Sequence, residues 1–123
     1  MNKRLLIVDD EEDFAFLLKK AVEATGRFEA SICTNPTEAV EYARRLQPKL
    51  ILLDVMMPQL GGEDVAVELQ RHQGLAAIPV IFLTSLLQQH ETTKALQVIG
   101  GRYMMAKPVN TAALIEAIDR LTQ

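Results

Sequence analysis

The chain has 123 residues, 49% of them hydrophobic and 24% charged, with a formal net charge of −3. That length suits one domain with a single substantial core, and the acidic balance gives no support for a nucleic-acid-binding surface. A lone cysteine, Cys33, excludes an internal disulfide and fits a reducing compartment, and no segment approaches the roughly 20 apolar residues of a membrane span.

Met1-Asn2-Lys3-Arg4 leads into Leu5-Leu6-Ile7-Val8, which stops on Asp9-Asp10. This run is too short for a secretion signal, so a cytoplasmic protein is expected. Four apolar residues ended by acids read instead as a strand covered on both faces. Glu11, Glu12 and Asp13 favour a helix N-terminus through its dipole. Phe14, Leu17, Leu18, Ala21 and Val22 then make one helical stripe, with Gly26 just beyond it. Phe28, Ala30 and Ile32 alternate with Glu29, Ser31 and Cys33, as in a strand near the sheet edge. Asn35-Pro36 supplies a cap and a first-turn proline for a second helix through Ala39, Val40, Ala43 and Leu46.

Leu50-Ile51-Leu52-Leu53 is a third strand ending at Asp54, and the helix after Gly61-Gly62 carries Val65 and Leu69 inward. Val80-Ile81-Phe82-Leu83 is a fourth strand ending at Thr84. A fourth helix is expected over residues 88–99, with a weak stripe in Leu96 and Ile99. Tyr103-Met104-Met105-Ala106 forms a fifth strand ending at Lys107. A fifth helix starts near Asn110 and shows Leu114, Ala117, Ile118 and Leu121 on one face.

Five alternations of strand and helix predict an α/β fold of one domain over residues 1–123. Right-handed crossovers favour a three-layer, doubly wound, five-stranded parallel sheet with five helices and strand order 2-1-3-4-5. Parallel strands present their carboxyl ends on one edge, where open α/β folds bind ligands. Asp9, Asp10, Asp54, Thr84 and Lys107 therefore meet: three carboxylates, a hydroxyl and an ammonium.

Three neighbouring carboxylates repel one another, and at least one pKa rises unless a cation intervenes. Oxygen-only ligands select a hard ion, Mg²⁺ or alternatively Mn²⁺. Asp10 and Asp54 are the expected direct ligands, with Asp9 in support. Asp54, on the central strand, can act as a nucleophile toward phosphorus and form an acyl phosphate. Lys107 would offset charge on the transferring oxygens, and Thr84 would donate a hydrogen bond to one of them.

Four pieces, Leu6-Ile7-Val8-Asp9-Asp10, Asp54 to Gly62, Leu83-Thr84-Ser85 and Lys107-Pro108-Val109, occur in order, with 30 positions from Asp54 to Thr84. With them the chain resembles the receiver (CheY-like) domain of bacterial two-component response regulators, a flavodoxin-like fold. The resemblance implies transfer of a phosphoryl group to Asp54 from a sensor histidine kinase or a histidine phosphotransfer protein. It implies Mg²⁺ held by Asp10, Asp54 and the Met56 backbone carbonyl with Asp9 assisting, and a cis bond before Pro108. It also implies that Thr84 moves with the phosphoryl group and shifts the surface of the fourth helix, fifth strand and fifth helix. That surface would meet a downstream protein target or an output domain lying outside this chain, and is the place for a phosphorylation-dependent dimer.

Three departures stand out. Thr84 to Lys107 spans 23 positions, one more than usual in the family, so an extra residue lies in the fourth helix or the loop after it. The family's aromatic switch position, three before the lysine, is Met104, with Tyr103 one earlier. Gly61 replaces a frequent aspartate. Met56 and Leu86, two after Asp54 and two after Thr84, cannot orient an attacking water, so slow self-dephosphorylation is expected. Met56 also stands where a phosphohydrolase with an aspartyl-phosphate intermediate would carry its second aspartate. A signalling switch is therefore favoured over an enzyme acting on small molecules. A binding module that has abandoned phosphorylation would not need the full set of Asp9, Asp10, Asp54, Thr84 and Lys107.

Overall fold

The apolar runs lie side by side in one sheet in the computed structural model, which describes residues 2–57, 60–85 and 95–123. The strands are β1 (Lys3–Val8), β2 (Phe28–Cys33), β3 (Leu50–Asp54), β4 (Val80–Thr84), β5 (Gln97–Ile99) and β6 (Arg102–Ala106). The helices are α1 (Glu12–Glu23), α2 (Ala39–Leu46), α3 (Gly62–Arg71) and α4 (Thr111–Leu121). A 3-10 turn at Pro36–Glu38 precedes α2, and there the Asn35 side chain accepts the Thr37 N–H at 3.1 Å. The strand order is β2-β1-β3-β4-β6-β5. The first five in that order run parallel, while β5 pairs antiparallel with β6.

Strand side chains alternate faces, and here both faces are covered. Leu5, Ile7, Leu50, Leu52, Ile81, Leu83 and Met105 pack under α1 and α4 with Leu18, Val22, Leu114 and Ile118. Leu6, Val8, Ile51, Leu53 and Phe82 pack under α2 and α3 with Ala43, Val65 and Leu69. Leu50, Ile51, Leu52 and Leu53 have no exposed surface at all, and each contributes about 2 kcal/mol of burial.

Two expectations need correction. The sheet has six strands rather than five, and the described residues form four α-helices against the five expected. Residues 88–94 of the expected fourth helix lie outside the described residues, but its last three form β5. Gly100 and Gly101 follow with φ of 58° and 79°, the pair of left-handed residues that a two-residue hairpin turn requires. Two β-branched residues before Gly-Gly outweigh a weak helical stripe. Leu96 still packs on the α1/α4 core, whereas Ile99 is exposed. In α1, Leu17 is 65% exposed and Ala15 is buried instead. The helix lies close enough to the sheet for a methyl group to fill the gap.

Candidate functional site

Each strand of the central group ends by delivering one polar side chain. Asp9 follows β1 and is held by its N–H donating to the Cys33 carbonyl at 3.1 Å. Its Oδ1 accepts the Glu11 N–H at 2.9 Å, closing a turn that leads into α1. Asp54 ends β3, its Oδ1 accepting the Met56 N–H at 3.4 Å. Thr84 ends β4, and its carbonyl accepts the Lys107 N–H at 2.9 Å just beyond β6. Asp9, Asp54 and Thr84 are the buried polar or charged residues among those described. The Lys107–Pro108 peptide is cis.

Gly62 fixes how tightly the loop after β3 can close. A Cβ there would overlap the Asp54 carbonyl oxygen and sit 3.0 Å from the Val55 Cα. The Gly62 N–H donates to the Val55 carbonyl at 2.9 Å. The start of α3 therefore rests directly on the backbone that carries Asp54.

The Lys107 ammonium is the centre of the site. Its Nζ lies 2.9 Å from Asp9 Oδ2, 3.4 Å from Asp54 Oδ1 and 3.3 Å from Glu11 Oε1. It also stands 4.3 Å over the Phe14 ring centroid, a cation–π contact in a mostly dry place. Burial pulls its pKa down, but the hydrogen bond and charge of Asp9, with Asp54 and Glu11, more than offset that and raise it. Asp54 moves the other way from a normal carboxylate. Burial and the Asp9 charge push its pKa up to about 6, against the opposing pull of Lys107 and the Met56 N–H.

Oxygens of Asp9, Glu11 and Asp54 all lie within 4.8 Å of one another. Three carboxylates against one ammonium leave the site with surplus negative charge, and the Asp9 charge adds to burial in raising the Asp54 pKa. An all-oxygen donor set with surplus negative charge fits a hard divalent cation. Asp10 is not in this trio. It is half-buried and lines an adjoining depression that Glu11 and Phe14 also line, with Glu12, Asp13 and Thr34. Glu11, read from the sequence as a helix-dipole acid, joins the site as well. The only hint was its position two after Asp9, where the side-chain turn brings it over Lys107.

Met56 is 60% exposed beside Asp54, so no polar side chain from that position reaches the acid. Tyr103 and Met104 occupy opposite faces of β6, Tyr103 against the α1/α4 core and Met104 against the α2/α3 core. Leu86, Pro58 and Gln59 lie outside the described residues.

The family profile described as "Response regulator receiver domain" matches residues 5–119. The chain belongs to that family. It is 30% identical over 123 residues to the chemotaxis protein CheY of Thermotoga maritima, covering 100% of each chain. It is 31% identical to the alkaline phosphatase synthesis transcriptional regulatory protein PhoP of Bacillus subtilis, but spans 51% of that protein. The solved structure of the chemotaxis protein CheY4 of Vibrio cholerae has the same fold, with a TM-score of 0.82 at 20% identity over 98% of this chain and 99% of that one. As a receiver domain of response regulators, the chain is a module of two-component signalling. Among the described residues no helix is long and apolar enough to cross a membrane.

Proposed function

We propose that this receiver domain takes a phosphoryl group onto Asp54 from a phosphohistidine of a sensor kinase or histidine phosphotransfer protein. The observation that carries the reading is the buried Asp54 carboxylate, 3.4 Å from the Lys107 ammonium and grouped with Asp9 and Glu11. An Asp54 oxygen forms the new bond to phosphorus as the phosphorus–nitrogen bond breaks, and the imidazole leaves with that electron pair. Lys107 balances charge on the phosphoryl oxygens, and the Thr84 hydroxyl donates to one of them. Asp10, Asp54 and the Met56 backbone carbonyl, with Asp9 assisting and Glu11 at the mouth, would hold Mg²⁺, or Mn²⁺ in its place. Such an ion would neutralise phosphoryl charge during transfer. Exposed Phe16 and Leu17 on α1 offer apolar contact to such a partner.

Phosphorylation at Asp54 would draw Thr84 inward, and β6 is the neighbouring strand, pairing Thr84 with Ala106. Tyr103 or Met104 would repack in response and change the surface of β6 and α4. That surface is where a downstream protein or an output domain would read the signal. A cytoplasmic setting follows, with no membrane or direct nucleic-acid contact by this domain.

The test is incubation with phosphoramidate and Mg²⁺, borohydride reduction of any acyl phosphate, and peptide mapping. Reduction at Asp54, absent without Mg²⁺, is the expected result; reduction at another acid, or at none, contradicts it. Met56 supplies no group to orient water, so the acyl phosphate should be long-lived. Met56→Asn should release phosphate faster, and an unchanged rate would sink that part.

A further inference from the structure

Among the described residues several cations stand over aromatic rings, and one contact differs from the rest. Lys20, Arg27, Arg45 and Arg102 lie 5.1, 5.0, 5.1 and 5.2 Å from the ring centroids of Phe16, Phe28, Tyr42 and Phe82. The Lys107 ammonium is closer, 4.3 Å over Phe14. Its side chain is 11% exposed, against 40% for Arg102 and 53% for Arg27. A cation–π attraction is strongest where water is excluded.

Phe14 sits in the first turn of α1, half-buried, and packs against the α1/α4 core. The core fixes the ring, so the lysine must come to it. Leucine would fill the same apolar position, but it would desolvate the ammonium without attracting it. The ammonium has three donors, and oxygens of Asp9, Glu11 and Asp54 stand 2.9, 3.3 and 3.4 Å away. Those bonds are directional, and one must be exchanged when a phosphoryl oxygen arrives. The ring attracts the charge through its quadrupole, whichever way the N–H groups turn.

We propose that Phe14 is a positioning residue for phosphoryl transfer, acting through Lys107. The ring holds the ammonium against Asp54 while an N–H passes from a carboxylate oxygen to a phosphoryl oxygen. This role presupposes Asp54 as the phosphoacceptor. Phe14 carries no ligand atom, so its replacement leaves the Mg²⁺ dependence of the reaction unchanged.

Graded fluorination separates the ring's charge distribution from its bulk. Mono-, di- and trifluorophenylalanine at position 14 keep the ring's shape and progressively weaken its hold on a cation. With phosphoramidate and saturating Mg²⁺, labelling of Asp54 should slow stepwise, by about fivefold with three fluorines and at least as much in Phe14→Leu. The same series at Phe28, which carries Arg27 at the amino ends of the strands, should leave the rate unchanged. Independently of phosphorylation, the ring current should move the Lys107 ε-methylene protons upfield in wild type and not in Phe14→Leu. A rate flat across the position-14 series overturns the proposal and leaves Asp54 standing as phosphoacceptor. Equal slowing from position 28, a shifted Mg²⁺ half-saturation, or an unshifted Lys107 methylene overturns it too. A wild type that takes no label at Asp54 removes the phosphoacceptor reading and this role with it.

Discussion

The body and the end of β3 make opposite use of the same strand. From Leu50 to Leu53 every side chain is apolar and wholly buried, filling the layers under α1/α4 and α2/α3. One residue later Asp54 is equally enclosed, yet its ionised form is opposed by burial and by Asp9. Stability is gathered in the strand bodies and surrendered at their carboxyl ends, where buried charge is kept available for chemistry. Substitutions in the two regions should therefore change stability in opposite directions.

The largest loss should come from the strand body. Leu52→Ala leaves a cavity in the α1/α4 layer and should cost about 3 kcal/mol, read as a lower urea midpoint. Gly62→Ala belongs to the boundary between the regions. The added methyl meets the Asp54 carbonyl and Val55, so α3 must shift, at about 2 kcal/mol. It should also slow phosphorylation at Asp54, which Leu52→Ala should not do beyond its effect on folding.

Asp54→Asn should reverse the sign. In metal-free buffer the folded-state pKa of Asp54, about 6, exceeds its ordinary value of 3.8. Folding thus binds a proton there. The stability this gives is complete below pH 3.8 and lost as pH rises through about 6. Asparagine carries no such loss, so Asp54→Asn should be more stable than wild type at pH 8 by on the order of 2 kcal/mol. The gain should vanish by pH 4 and shrink when Mg²⁺ is added; thermal melts across pH would show both. A smaller effect closes the series. Asn110 caps α4 by accepting the Ala113 N–H at 2.9 Å, and Asn110→Ala should cost about 1 kcal/mol, far from the site and without effect on phosphorylation.

The strands were legible because fully buried parallel strands need uninterrupted apolar runs, and each run stops where the sheet meets solvent. The meeting of Asp9, Asp54, Thr84 and Lys107 follows from that topology alone. Glu11 was hidden because its place depends on one side-chain turn from Asp9, which leaves no periodic trace. Asp10 was read as a ligand from the same strand end, and it lies half-buried beside Glu11 at the adjoining depression. β5 was missed because three strand residues are too few to outvote a helical reading. The Gly100-Gly101 pair carried the hairpin signal. Leu17 misled through a real stripe whose neighbour Ala15 fits the closer approach.

The account rests on Asp54 as phosphoacceptor, and intact mass after acetyl phosphate and Mg²⁺ addresses it most directly. Wild type should gain a single phosphoryl group that hydroxylamine removes, while Asp54→Asn, or wild type with the metal chelated, should gain none. Equal labelling of wild type and Asp54→Asn would contradict it.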